Sequence, residues 1–112
     1  MKIFVCACEA SGDLYATLYL KQRKDKKLSI VGVGGDQLKK FGAKIFLSIE
    51  QFSIFGFKQG LIHGPGNLKL YRTILARIRD QKPDIFMPVA YPGLNLLLAR
   101  ACRKLNIKVI YL

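Results

Sequence analysis

The chain of 112 residues is poor in cysteine and histidine, and these shortages bear on redox state and metals. It has three cysteines and one histidine, His63. An odd number of thiols is not typical of a disulfide framework, so we expect reduced thiols, as in a cytosol. Cys6 and Cys8 are two apart in a β-rich run and point to one face. A zinc site would need Cys102 and His63 as well, so two core thiols are favoured and we expect no metal.

Long apolar runs are missing too. The longest, such as Ile85–Val89, have about five or six residues, whereas a membrane-spanning helix needs about 20. The apolar run after Lys2 is short for a secretory signal, and Glu9 and Asp13 follow it. The sequence therefore predicts a cytoplasmic protein without a membrane span.

Acidic residues are the third shortage. Seven Asp and Glu stand against nineteen Lys and Arg, which leaves a net charge of +12. The excess favours anionic partners: nucleic acid, an acidic membrane surface or a phosphorylated ligand. A plainer interpretation is that the cations only keep an apolar chain soluble. Aromatic residues are not interleaved with the two basic clusters, so nucleic acid is not favoured; the clusters are Lys21, Arg23, Lys24, Lys26 and Lys27, and Lys69, Arg72, Arg77, Arg79 and Lys82.

What the chain does have is apolar residues, 51% of the total, enough for one domain spanning residues 1–112. Five compact runs resemble strands buried on both faces of a parallel sheet: residues 2–7, 29–33, 43–49, 84–89 and 107–112. The last run ends with the chain, so we expect the chain to be a piece of something longer.

Helical periods lie between these runs. Shorter helices are predicted over residues 14–24 and over Asp36–Phe41, the latter stopped by Gly42. Two longer apolar stripes follow, with Pro83 ending the first, Asn106 suiting the end of the second, and a loop or kink predicted at residues 64–66; the stripes are Tyr71, Ile74, Leu75 and Ile78, and Leu94, Leu97, Leu98, Ala101 and Leu105. The alternation predicts an α/β fold with a Rossmann-like, mostly parallel sheet and flanking helices.

The turn after the first predicted strand is the first candidate site, because ligands of open α/β sheets bind beyond the carboxyl ends of strands. Glu9 is a candidate acid or base, and Gly12 would let the backbone approach a ligand closely. Ser11 and Asp13 can cap the next helix, whose N-terminus could hold an anion. A well-capped turn with no ligand explains the same residues equally well. The glycines of residues 32–35 are only a weak dinucleotide signal, since the third glycine is missing at the right spacing.

Four segments, in order, resemble the bacterial lipid A disaccharide synthases. MKIFVCACEASGDLY is similar to their opening K-I-x-x-x-A-G-E-A-S-G-D, and IVGVGGDQLKKFGAKIF to their G-I-G-G-x-x-M-x-x-x-G segment. SIEQFSIFGFKQGL resembles I-E-E-L-S-V-M-G-F-x-E-V-L. KPDIFMPVAYPGLN resembles K-P-D-x-x-x-x-x-D-Y-P-D-F-N, and the following helix and strand match as well. The order and spacing hold over essentially the whole chain.

The resemblance implies an inverting glycosyltransferase (a hexosyltransferase) with the two-domain GT-B architecture. This chain would be its N-terminal, acceptor-side domain, without the C-terminal nucleotide-sugar domain. The family's enzymes transfer diacylglucosamine from its UDP donor to diacylglucosamine 1-phosphate, without metal or other cofactor, on the cytoplasmic face of the inner membrane. The positions that match are catalytic candidates Glu9 and Asp13 and substrate-binding candidates Ser11, Gly12, Gly34, Gly35, Gly56 and Asn95.

The chain departs from the family pattern at three positions. Cys8 replaces a glycine, and Ala90 and Gly93 replace two aspartates. A single domain cannot bring donor and acceptor together, and alanine and glycine cannot transfer protons, so we expect the chain to be inactive by itself. The alternative function is a non-catalytic basic α/β module that binds anionic lipid or nucleic acid.

Overall fold

The computed structural model describes residues 1–23, 27–54 and 65–112. Strands and helices alternate along these ranges, as the sequence predicts. The strands are β1 (Lys2–Ala7), β2 (Ser29–Gly34), β3 (Lys44–Ser48), β4 (Ile85–Val89) and β5 (Lys108–Val109). The helices are α1 (Ala10–Gln22), α2 (Asp36–Phe41), α3 (Ile49–Ile54), α4 (Pro65–Gln81) and α5 (Pro92–Lys104).

The five strands form one parallel sheet in the order β3-β2-β1-β4-β5. Side chains alternate between its faces, so each strand contributes to two apolar layers. Phe4 and Cys6 pack with residues of α4 and α5, and Ile3 and Val5 pack with residues of α1 and α2. Helices on both faces explain why the strands read as continuous apolar runs. The predicted Rossmann-like α/β fold is confirmed.

Several predicted boundaries shift. Helix α1 begins at Ala10, four residues before the predicted start, and α3 was not predicted at all. Strand β5 covers only Lys108–Val109 of the predicted residues 107–112. The pairing continues beyond it, because the N–H groups of Ile110 and Leu112 donate to the carbonyls of Phe86 and Pro88 at 3.0 Å. The strand lies at the edge of the sheet, so β4 alone holds it.

The apolar stripe of α5 was predicted in the wrong rotation. Its buried face consists of Leu94, Asn95, Leu98, Ala99 and Cys102. Leu97 and Leu105 from the predicted stripe are 46% and 40% exposed. The helix turns towards Asn95 because this amide donates hydrogen bonds to backbone carbonyls at the ends of β1 and β4. A polar residue therefore sets which side of the helix is buried.

The helix ends follow the predicted signals. Gly42 stops α2 with φ 110°, and Asn106 follows α5 with φ 61°. Both values lie in the left-handed region, which glycine adopts freely and asparagine tolerates. Of the loop or kink predicted at residues 64–66, Pro65 and Gly66 belong to α4, and Gly64 lies outside the described residues. No helix within the described ranges has the length and apolar character needed to cross a membrane.

Candidate functional site

The order of the sheet places its topological switch point between β1 and β4. From β1 the chain crosses to β2 on one side, and β4 pairs with β1 on the other, with Ala7 opposite Val89. A crevice outside the carboxyl ends of these two strands is the usual ligand site of such a sheet. Two turns flank it, one starting at Cys8 and one starting at Ala90.

Asp13 joins the turn after β1 to the turn after β2. Its side chain is only 4% exposed, and its carboxylate accepts hydrogen bonds from the backbone N–H groups of Gly35 at 2.9 Å, Gln37 at 2.9 Å and Leu38 at 3.1 Å. Helix α2 has no cap from its own N-cap residue, Gly35, so a side chain on α1 supplies it. The expectation that Ser11 and Asp13 cap α1 was wrong: both lie within α1, whose N-cap is Glu9.

The glycines of these turns make room for neighbouring side chains. A Cβ on Gly35 would lie 2.9 Å from Asp13 Oδ2, and one on Gly34 would lie 2.5 Å from Leu38 Cδ1. A Cβ on Gly12 would lie 3.3 Å from Val89 Cγ1, so this glycine brings α1 close to β4. At these glycines the close contacts are made by other parts of the fold: the side chains of Asp13, Leu38 and Val89.

The second turn is strained and tightly held. Ala90 and Tyr91 both have positive φ, 51° and 47°, which is costly for residues other than glycine. The Ala90 carbonyl accepts hydrogen bonds from Asn95 Nδ2 at 2.9 Å and from the Tyr111 hydroxyl at 2.8 Å. Asn95 is fully buried, and among the described residues its Oδ1 has no hydrogen-bond partner. Strained backbone held by several neighbours is common at ligand sites.

The turn that starts at Cys8 acts electrostatically on Tyr91 in the turn that starts at Ala90. Partial burial raises the pKa of Tyr91, and the nearby Cys8 and Glu9 raise the pKa further. Burial, with Cys6 and Cys8 nearby, also raises the pKa of Tyr111. Glu9 is exposed two residues after β1, and Ser11 is exposed as the second residue of α1. The crevice thus has one exposed carboxylate and two phenols that stay protonated at neutral pH.

The thiols lie beneath this crevice. Cys6 Sγ and Cys8 Sγ are 3.8 Å apart and buried, which confirms that they share a face. The contact with Cys6 and burial raise the pKa of Cys8 above its usual range, and burial raises the pKa of Cys102 to about 12. No cluster of three or more His, Cys, Asp or Glu with the geometry of a metal site occurs in the described part of the chain.

The structure distributes the predicted site residues unevenly. Glu9 and Ser11 are exposed beyond the carboxyl end of β1, whereas Gly12, Asp13 and Asn95 are buried. Gly34 and Gly35 lie at the turn after β2, and Gly56 lies outside the described residues. Sequence reasoning missed Tyr91 and Tyr111. The signals available for Tyr91 were its position two residues after a buried strand and its match to the tyrosine of D-Y-P-D-F-N, and none marked Tyr111.

A parallel sheet of this order, with its switch point between β1 and β4, defines a Rossmann-like α/β domain. More specifically, the sequence matches the family profile described as Lipid-A-disaccharide synthetase over residues 3–112. The chain belongs to this family of glycosyltransferases.

Relatives from several bacteria agree with the profile. The chain is 30% identical to a lipid-A-disaccharide synthase of Geobacter metallireducens, over 98% of this chain and 29% of that protein. It is 33% identical to lipid-A-disaccharide synthase 1 of Legionella pneumophila and 34% identical to a lipid-A-disaccharide synthase of Anaeromyxobacter dehalogenans, each over 98% of this chain and 29% of the relative. The chain therefore spans less than a third of the length of these relatives.

Proposed function

We propose that this chain supplies the N-terminal, acceptor-side part of a lipid A disaccharide synthase of GT-B architecture. The whole enzyme transfers diacylglucosamine from its UDP donor to diacylglucosamine 1-phosphate. The observation that supports this most is the position of Glu9, an exposed carboxylate at the switch point of a domain from this family. The rest of the enzyme holds the UDP-sugar and closes over the crevice.

The crevice offers two features that suit a phosphorylated sugar acceptor. Helix α1 begins there, and no side chain of its N-cap residue accepts a hydrogen bond from its first N–H groups. Such a helix end attracts an anion such as the acceptor phosphate. The exposed Ser11 hydroxyl in the first turn adds a donor beside it.

In this proposal Glu9 is the general base of an inverting transfer. Its carboxylate takes the proton of the acceptor hydroxyl as the hydroxyl oxygen bonds to the anomeric carbon of the donor sugar. The bond from that carbon to the diphosphate breaks at the same time, and UDP leaves with the electron pair. General-base catalysis of this kind contributes about two to four orders of magnitude. Asp13, bound to three N–H groups, acts here as a positioning residue that fixes α1 against α2.

The basic excess of the chain fits the same proposal. A net charge of +12 favours contact with the anionic inner face of the bacterial inner membrane, where the lipid substrates reside. We place the chain there as a peripheral protein.

A complementation assay tests the role of Glu9. The chain is mixed with the remaining part of a relative, and disaccharide formation is measured with Glu9→Gln and with Asp80→Asn, which removes another exposed acid. We expect Glu9→Gln to lower kcat about a hundredfold or more and Asp80→Asn to leave kcat unchanged. Equal activity of both variants would remove Glu9 from the reaction.

A second candidate function is a non-catalytic basic module that binds anionic lipid or nucleic acid. It is favoured by the net charge of +12 and by Ala90 and Gly93, which bring no carboxylate to the second turn. In the complementation assay this function predicts no disaccharide with any variant.

A further inference from the structure

A pocket of about 310 Å³ lies at the amino ends of the strands, whereas the candidate site lies at their carboxyl ends. Lys2, Ser29 and Lys44, the first residues of β1, β2 and β3, lie on its rim. Its floor includes Phe4, Val31 and Phe46, on the face of the sheet that α4 covers in part. The pocket is large enough for a small ligand.

Two of the three cations that line this pocket, Lys2 and Arg77, are held by neighbouring side chains. Lys2 Nζ donates to the Gln81 carbonyl oxygen at 3.1 Å and to Gln81 Oε1 at 3.2 Å. An ammonium group has three N–H donors, so one remains. The guanidinium carbon of Arg77 lies 4.8 Å from the centre of the Phe46 ring. Stacking of this kind leaves the guanidinium N–H donors available to an anion.

No carboxylate lines the pocket in the described part of the chain. Lys2, Lys44 and Arg77 are its charged residues, and all of them are cations. Like charges around one concave space repel each other, and a bound anion would offset that repulsion. The aromatic floor and the plane of the Arg77 guanidinium suit the flat face of a ring.

We propose that this pocket binds a small phosphorylated molecule that carries a ring, as a nucleoside monophosphate does. The phosphate lies among Lys2, Lys44 and Arg77, and the ring packs against Phe46 and the Arg77 guanidinium. The site lies at the amino edge of the sheet, so it is separate from the crevice between β1 and β4. It does not depend on the glycosyl-transfer proposal.

An NMR titration of the 112-residue chain at low salt tests the site, with adenosine 5′-monophosphate, inorganic phosphate and adenosine as probes. We expect the monophosphate to bind about tenfold more tightly than either part, with shifts at the amides of Ser29 and Lys44. Lys44→Gln and Arg77→Gln should each weaken it about tenfold. Arg100→Gln, the same loss of charge on α5, should leave it unchanged. All three positions are exposed, and thermal melts check that the variants fold.

The other outcomes overturn the proposal. Equal affinity for phosphate and the monophosphate would show that the ring makes no contact with the pocket. Equal affinity for adenosine and the monophosphate would show that the phosphate makes none. If Arg100→Gln weakens binding as much as Arg77→Gln does, the attraction comes from the net charge of the chain. No shifts at Ser29 and Lys44 up to about 10 mM monophosphate would exclude this pocket as a site of useful affinity.

Discussion

Asp13 shows how one residue can serve the fold in a place where the sequence also suggests chemistry. It follows β1 in a turn that resembles a glycosyltransferase motif, yet its carboxylate accepts three backbone hydrogen bonds from the start of α2. Hydrogen bonds to a charged acceptor are stronger than those between neutral groups. The residue thus couples the turns after β1 and β2, and the absence of side chains on Gly34 and Gly35 makes that contact possible.

Replacing this carboxylate should cost stability. Asp13→Asn removes the charge and points an N–H₂ donor at backbone donors, so we expect the free energy of unfolding to fall by about 2–4 kcal/mol. Asp36→Asn removes an exposed acid from the first turn of α2 and should cost less than about 1 kcal/mol. Urea denaturation of both variants makes the comparison. Equal losses would show that Asp13 contributes only through charge near the helix end.

Cys102 gives the fold a dependence on alkaline pH. Burial raises the pKa of this thiol from 9.0 to about 12. A raised pKa means that the folded chain favours the neutral thiol, so its contribution to stability is complete below about pH 9 and is lost as the pH rises towards 12. Between pH 9 and 10 the unfolding free energy should fall by roughly 1 kcal/mol more in the parent chain than in Cys102→Ala. Parallel falls in urea denaturation would contradict this.

At the scale of elements, Gly32 and Gly42 both have positive φ, but a side chain would meet a neighbouring strand only at Gly32. Comparing them distinguishes the cost of a steric overlap from the cost of backbone strain. Gly32 has φ 137°, and a Cβ there would overlap the Val5 carbonyl oxygen. Gly42 has φ 110°, and a Cβ there would meet nothing within 4 Å. Both alanine substitutions strain the backbone by about 1–3 kcal/mol, but only Gly32→Ala also pushes β2 away from β1.

We therefore expect Gly32→Ala to destabilise the chain by at least about 2 kcal/mol more than Gly42→Ala. Thermal melts of the two variants measure the difference. A Gly42→Ala variant as unstable as Gly32→Ala would mean that the register of β1 and β2 does not require this glycine.

Much of the fold is predictable from the sequence because hydrophobic periodicity and stop signals are local. The run KIFVCA predicts β1 residue for residue, and Gly42 predicts the end of α2. The rotation of α5 was not predictable. Asn95 is buried because its amide bonds to the carbonyl of Cys6 in β1, which is far away in the sequence. The same holds at the site: the motif indicates Glu9, whereas the partners of Asp13 and the approach of Tyr111 depend on how elements pack.

On the scale of the whole molecule, the net charge of +12 predicts which lipid surfaces the chain binds. We expect it to bind vesicles that contain anionic lipid, and to release them as salt rises from about 50 mM to about 500 mM, since screening shortens the reach of surface charges. Flotation with anionic and neutral vesicles measures this. Equal binding to neutral vesicles at high salt would contradict an electrostatic contact, and preference for DNA at matched salt would favour the basic-module function.

Adding carboxylates at Ala90 and Gly93, where the family pattern has aspartates, tests whether such groups take part in transfer. Ala90→Asp with Gly93→Asp should not give activity to the isolated chain, because the donor-binding part is still absent and proximity alone is worth about 7–11 kcal/mol of the barrier. The same double variant should raise the rate of disaccharide formation when the remainder of a relative is added. No gain in the complemented assay would show that carboxylates at these positions do not take part in transfer.

The central claim is that this chain is the acceptor-side part of a divided active site. The most direct measurement is disaccharide formation from the UDP-sugar donor and the lipid acceptor, with the 112-residue chain alone and with the remainder of the Geobacter metallireducens relative added. We predict no product from the chain alone or from the remainder alone, and product when the two are combined. Disaccharide formed by the unmodified chain alone would contradict the claim.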